Sequence, residues 1–139
     1  MYREDVLVQN GAIDRKDLQA LMEYVKRALL RDSIVSNEAA QDSVETQWVV
    51  DKNIRDTQEV HLSQTMIDRL ADIDRALVAA YINPFYAVEV RDSEPWQILH
   101  YGVGGHYIPH VDAETLYKDD GGLDMWEKTL DRDLSVVCF

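Results

Sequence analysis

The chain has 139 residues, 46% of them hydrophobic, a length and composition that suit one domain with one core and exclude a disordered segment. Its 26 acidic against 14 basic side chains give a net charge of −12, a surface that repels phosphate backbones and anionic lipid. Nucleic acid and membrane are thereby argued against as main partners. The start, Met1-Tyr2-Arg3-Glu4-Asp5, lacks the apolar core of a signal peptide, and no run is long enough to span a bilayer, so a cytoplasmic protein is the expectation. The one cysteine, Cys138, sits in an apolar run and reads as a buried reduced thiol.

Val6-Leu7-Val8 followed by Asn10-Gly11 suggests a short entering strand and a turn. Asp14 is a good helix N-cap, with Asp17 in the first turn to favour the positive end of the dipole. Ile13 and Leu18 have the spacing of a hydrophobic staple. Leu18, Leu21, Met22, Val25 and Leu29 recur at helical spacing and predict a helix over about residues 15–31. Met22 and Tyr24 read as its packing face rather than as cofactor contacts. Residues 32–45 are polar and predict a loop. Residues 46–50, with Trp48 as a core or rim residue, predict a strand, and Asp51-Lys52-Asn53 a turn. Ser63 is a second N-cap, with Leu62 and Ile67 as a second staple. Met66, Ile67, Leu70, Ile73, Leu77, Ala80 and Tyr81 form the stripe of a second helix, which Asn83-Pro84 is expected to close. His61, just ahead of it, reads as an exposed or capping residue.

From Phe85 the period changes. Residues 85–90 are aromatic and β-branched and predict a strand. Asp92-Ser93-Glu94-Pro95 is a turn, residues 96–101 a strand, Gly102–Gly105 a tight turn and residues 106–112 the return strand. Residues 113–131 are acidic and turn-rich, and the segment from Glu114 to Asp133 is either a functional lid or a solvated loop. Residues 134–139 read as a strand buried on both faces. Helices followed by sheet predict an α+β domain with N-terminal helices packed on a β-sandwich or barrel.

The chemistry gathers at Tyr101-Gly102-Val103-Gly104-Gly105-His106-Tyr107-Ile108-Pro109-His110-Val111-Asp112. On extended backbone, residues two apart share a face, so His110 and Asp112 can converge. An imidazole and a carboxylate so placed are two of the three ligands of the facial triad that holds non-heme Fe(II). Without the flanking pattern the pair would read as a polar pair at a strand end. The full pattern, Y-G-x-G-G-x-Y-x-x-H-x-D, strongly resembles the Fe(II)/2-oxoglutarate-dependent dioxygenases of the prolyl 4-hydroxylase-like group. Asp131-Arg132-Asp133-Leu134-Ser135-Val136-Val137-Cys138-Phe139 is similar to that family's next core strand. The resembling residues cover about a quarter of the chain.

The resemblance implies a double-stranded β-helix, or jelly roll, with about residues 1–84 as helical support and about 85–139 as the start of its core, all within one domain. It implies an oxidoreductase that couples oxidative decarboxylation of 2-oxoglutarate to hydroxylation of a C–H bond, with ascorbate as a candidate reductant. By the same resemblance His110 and Asp112 bind iron, Tyr101 contacts 2-oxoglutarate, and Tyr107 lies near the metal and shapes the substrate pocket. A peptidyl proline or a small molecule is the implied substrate. His100 and His106 read as partly exposed strand residues, with an orienting role for either as the alternative.

One departure is large. The family's second histidine ligand, and the Arg or Lys that pairs with 2-oxoglutarate after it, have no counterpart, because residues 113–139 contain no histidine. The expectation is a chain truncated before these residues and so incomplete for catalysis. If it is complete, its open strand edges call for a homodimer. A non-catalytic partial jelly-roll interaction module and another cupin-type metal enzyme stand as the alternative functions.

Overall fold

A computed structural model describes residues 6–36, 48–128 and 130–139. Its architecture mixes helices with small antiparallel sheets, and the chain divides into two compact units, Met1–His106 and Tyr107–Phe139.

In the first unit, helix α1 (Arg15–Val25) starts where the sequence signals it. The Asp14 carboxylate accepts the Lys16 N–H at 2.8 Å, satisfying a donor that the helix itself leaves unpaired. The helix stops at Val25, well short of residue 31. Strand β1 (Leu30–Asp32) pairs antiparallel with β5 (Gln58–Val60), Leu30 facing Val60 and Asp32 facing Gln58. That ladder takes the backbone groups that further helical turns would need. β5 also pairs with β6 (Leu99–His100), completing a sheet in the order β1-β5-β6. Strands β2 (Val35–Ser36) and β3 (Trp48–Val49) pair separately, and β4 (Arg55–Asp56) follows the turn expected at residues 51–53. Most of the expected loop over residues 32–45, and the Trp48 side chain, lie outside the described residues. Val6–Val8 joins no strand.

Helix α2 (Gln64–Leu77) carries the core. Ser63 caps it by accepting the Met66 N–H on its hydroxyl at 3.3 Å. Met66, Leu70, Ile73 and Leu77 are buried at 3.6-residue spacing and meet Leu21 of α1, with Ile13, Tyr24, Trp96 and Ile98 packed around them. The stripe is narrower than the sequence suggests, because Leu18, Met22 and Ile67 are exposed, as is Leu29 beyond α1. Neither staple is therefore closed into the core. Two polar ties align the helices. The Tyr24 hydroxyl donates to the His61 carbonyl at 2.9 Å and accepts the Ser63 N–H at 2.7 Å, and Arg69 donates twice to Asp17.

Asn83-Pro84 does not end this helix. The chain widens into a π turn over Val78–Ile82 and continues as α3 (Asn83–Tyr86), which stops at Ala87 in the left-handed region with φ of 51°. Pro84 falls in the first turn of α3, the part of a helix where proline is best tolerated. The strand expected at residues 85–90 is absent. Phe85 and Tyr86 are helical, and the Val88 and Val90 N–H groups are taken by the Asn83 carbonyl and side chain. The expected strand at 96–101 is reduced to β6, and Trp96 instead donates its indole N–H to Asp74 at 2.9 Å.

The second unit corrects two further expectations. Residues 113–131 contain a β-hairpin, β8 (Glu114–Lys118) and β9 (Asp124–Lys128), rather than an irregular loop. Its turn is built by Asp119, whose carboxylate accepts the Gly121 and Leu123 N–H groups at 2.9 Å, with Gly122 at φ of 78°. Residues 134–139 form no strand and are exposed, Cys138 included. A strand requires a neighbouring backbone, and among the described residues none pairs with this one. Partial desolvation still raises the Cys138 thiol above its ordinary pKa. No helix among the described residues is long and apolar enough to cross a membrane.

Candidate functional site

Tyr101 leaves β6 half exposed and enters the glycine turn. The Gly105 N–H donates to the Gly102 carbonyl at 2.9 Å. Gly104 has φ of 82° and Val103 does not share it, the φ pattern of a type II turn, whose third residue is glycine because a Cβ is strained there. Gly105 is required for a different reason. A Cβ on it would lie 2.9 Å from the Asp56 carbonyl oxygen.

His106 follows, exposed, yet with both ring nitrogens engaged. Nδ1 stands 3.3 Å from the Gly104 carbonyl and Nε2 3.2 Å from the Asn53 carbonyl. Carbonyl oxygens only accept, so satisfying both requires both N–H groups of the imidazolium. The Asn53 carbonyl first, then the Gly104 carbonyl and the nearby Asp56 charge, raise its pKa above the ordinary 6.5. His106 is thus an exposed strand residue, as expected, that also acts as a clasp on the turn. His100 is exposed on β6 opposite Gln58.

Strand β7 (His106–Tyr107) is all that forms of the expected return strand over residues 106–112. Pro109 offers no N–H to a ladder, and the His110 side chain takes the Ile108 carbonyl. His110 and Asp112 nevertheless face each other. His110 Nδ1 donates to the Ile108 carbonyl at 2.9 Å, which leaves Nε2 turned to Asp112 Oδ1 at 3.2 Å. The Tyr107 ring stacks on the His110 ring, centroids 3.7 Å apart and planes 21° from parallel. Both members of the pair remain partly open to solvent and line a shallow cleft of about 350 Å³ with Val111, Arg132, Leu134 and Ser135.

The pair fits a divalent cation. Two ligand atoms each about 2.1 Å from one ion and at right angles stand about 3.0 Å apart. The 3.2 Å between Nε2 and Oδ1 is close to that. A ring nitrogen bonded to a main-chain carbonyl on the far side is also the usual support of a metal-binding histidine. Among the described residues no third His, Cys, Asp or Glu joins them to complete a set of three.

Of the residues singled out in the sequence, His110, Asp112 and Tyr107 come together in the second unit, and Tyr101 belongs to the first. Two residues were not foreseen. Ser135 Oγ donates to Asp112 Oδ2 at 2.7 Å, and Arg132 Nη1 donates to the Asp112 main-chain carbonyl at 2.8 Å. Nothing in the spacing announces contacts across 23 and 20 residues. Comparison with family models, with curated proteins and with solved structures finds no match to this chain.

Proposed function

We propose that this chain belongs to an Fe(II)/2-oxoglutarate-dependent oxygenase of the prolyl 4-hydroxylase-like type, with jelly-roll architecture in its second unit. The observation that supports this most is the pairing of His110 Nε2 with Asp112 Oδ1 at 3.2 Å while Nδ1 is held by the Ile108 carbonyl. That arrangement brings a ring nitrogen and a carboxylate oxygen to the same point beside an open cleft.

In this reading His110 and Asp112 hold the iron, and Tyr107 restrains the His110 ring by stacking on it. Bound Fe(II) and 2-oxoglutarate together supply the oxidising power for hydroxylating a C–H bond, of a peptidyl proline or of a small molecule. The protein's own part is to fix the ligands and to admit the substrate.

The test is a Mn(II) titration of the whole chain followed by electron paramagnetic resonance, with Mn(II) as the redox-inert substitute. The signal of free Mn(II) falls on adding the wild-type chain and is restored in His110→Ala and Asp112→Ala. A wild-type titration indistinguishable from buffer, or one that His110→Ala leaves unchanged, refutes the proposal.

A further inference from the structure

Asp112 is held at three points that arrive from two segments. Its Oδ1 stands 3.2 Å from His110 Nε2. Its Oδ2 accepts the Ser135 hydroxyl at 2.7 Å, and its main-chain carbonyl accepts Arg132 Nη1 at 2.8 Å. A 2.7 Å O–H···O contact has the length of a charge-assisted bond to a carboxylate.

A carboxylate can present one oxygen or both to a hard cation. A hydroxyl donating to one oxygen takes one of that oxygen's two lone pairs and holds the group against the rotation that would offer both equally. The Arg132 contact anchors the main chain beneath the same side chain, so the carboxylate is restrained at both ends.

We infer that Ser135 is a positioning residue that makes Asp112 a one-oxygen ligand, with Oδ1 presented beside His110 Nε2 and Oδ2 retained by the protein. This rests on the cation-binding role proposed for the His110–Asp112 pair. It adds what that role does not contain: the residue that sets how the carboxylate binds. Keeping Oδ2 within the protein would also leave more of a bound cation's coordination positions open to other ligands.

The experiment is a Co(II) titration of the whole chain, read by visible absorption, with wild type, Ser135→Ala, His110→Ala and the near-isosteric pair Ser135→Thr and Ser135→Val. Urea unfolding of each variant accompanies it. Removing a residue that orients a metal ligand weakens metal affinity by about 10- to 100-fold. Ser135→Ala and Ser135→Val are expected to weaken Co(II) by that factor and to change the absorption band as the second oxygen enters the coordination sphere. Ser135→Thr, which keeps the hydroxyl, is expected to retain wild-type affinity and band. If Thr and Val variants behave alike, or if Ser135→Ala matches wild type while His110→Ala loses binding, Ser135 has no positioning role and the cation site stands without it. If wild type takes up no Co(II), the cation role fails and this inference falls with it.

Discussion

The three glycines between Val103 and His106 and just before them invite a graded substitution experiment. Gly105→Ala would place a Cβ 2.9 Å from the Asp56 oxygen and 3.0 and 3.1 Å from the Gly102 oxygen and nitrogen. All three are backbone atoms that cannot swing aside, so the substitution overpacks the turn at a cost of about 1–3 kcal/mol. Gly104→Ala meets no atom within 4 Å, but its φ of 82° costs an L-residue about 1–2 kcal/mol. Gly102→Ala meets no atom within 4 Å and has no positive φ, so only the unfolded chain is affected, and stability rises by about 0.4–1 kcal/mol. The extremes thus differ by about 2–3 kcal/mol. With a urea dependence of about 1–3 kcal/mol per molar, midpoints measured by far-ultraviolet circular dichroism separate by about 1 M. The expected order of stability is Gly102→Ala above wild type, then Gly104→Ala, then Gly105→Ala. If Gly102→Ala destabilises as much as Gly105→Ala, backbone geometry is not what the glycines serve.

Two further outcomes follow from the first unit. Leu70 is 2% exposed at the centre of α2, so Leu70→Ala is expected to cost about 3 kcal/mol, while Ile67→Ala on the exposed side of the same helix costs under about 1 kcal/mol. Equal shifts in urea midpoint would show that α2 is not packed as described. His106 has a pKa raised in the folded state, so its contribution to stability is fully present below the ordinary 6.5 and is lost as pH rises through the higher folded value. The stability difference between wild type and His106→Gln is therefore expected to be larger at pH 6 than at pH 8. A difference that does not change with pH would rule out the two-carbonyl clasp.

Much of this was legible from residues close together in the chain. Both N-caps act as their side chains predict, because a cap is a contact over two or three residues. The period of Met66, Leu70, Ile73 and Leu77 marked the buried face of α2 correctly. The convergence of His110 and Asp112 was also foreseen, though by a different route. They meet at a bend stabilised by the Ile108 carbonyl, not on one face of a strand.

Most of what failed depended on a distant partner. A helix over residues 15–31 was reasonable on pattern, but Leu30–Asp32 is claimed by residues 58–60, and no local period encodes that ladder. Phe85 and Tyr86 failed for a local reason: apolar enough for a strand, they are carried on as helix by the π turn before Pro84. Cys138 and its neighbours looked buried because they are apolar, whereas burial needs a surface to pack against.

The sequence by itself determined where α1 and α2 begin, which residues make the glycine turn, and that an imidazole and a carboxylate stand two residues apart. These are set by contacts within about one helical turn or one tight turn, where backbone geometry leaves few options. The tertiary structure alone decided that Oδ2 of Asp112 belongs to Ser135, that its carbonyl belongs to Arg132, and that the His106 ring closes on Asn53. Such pairings depend on which distant segments the fold brings within about 3 Å, the range over which a hydrogen bond acts.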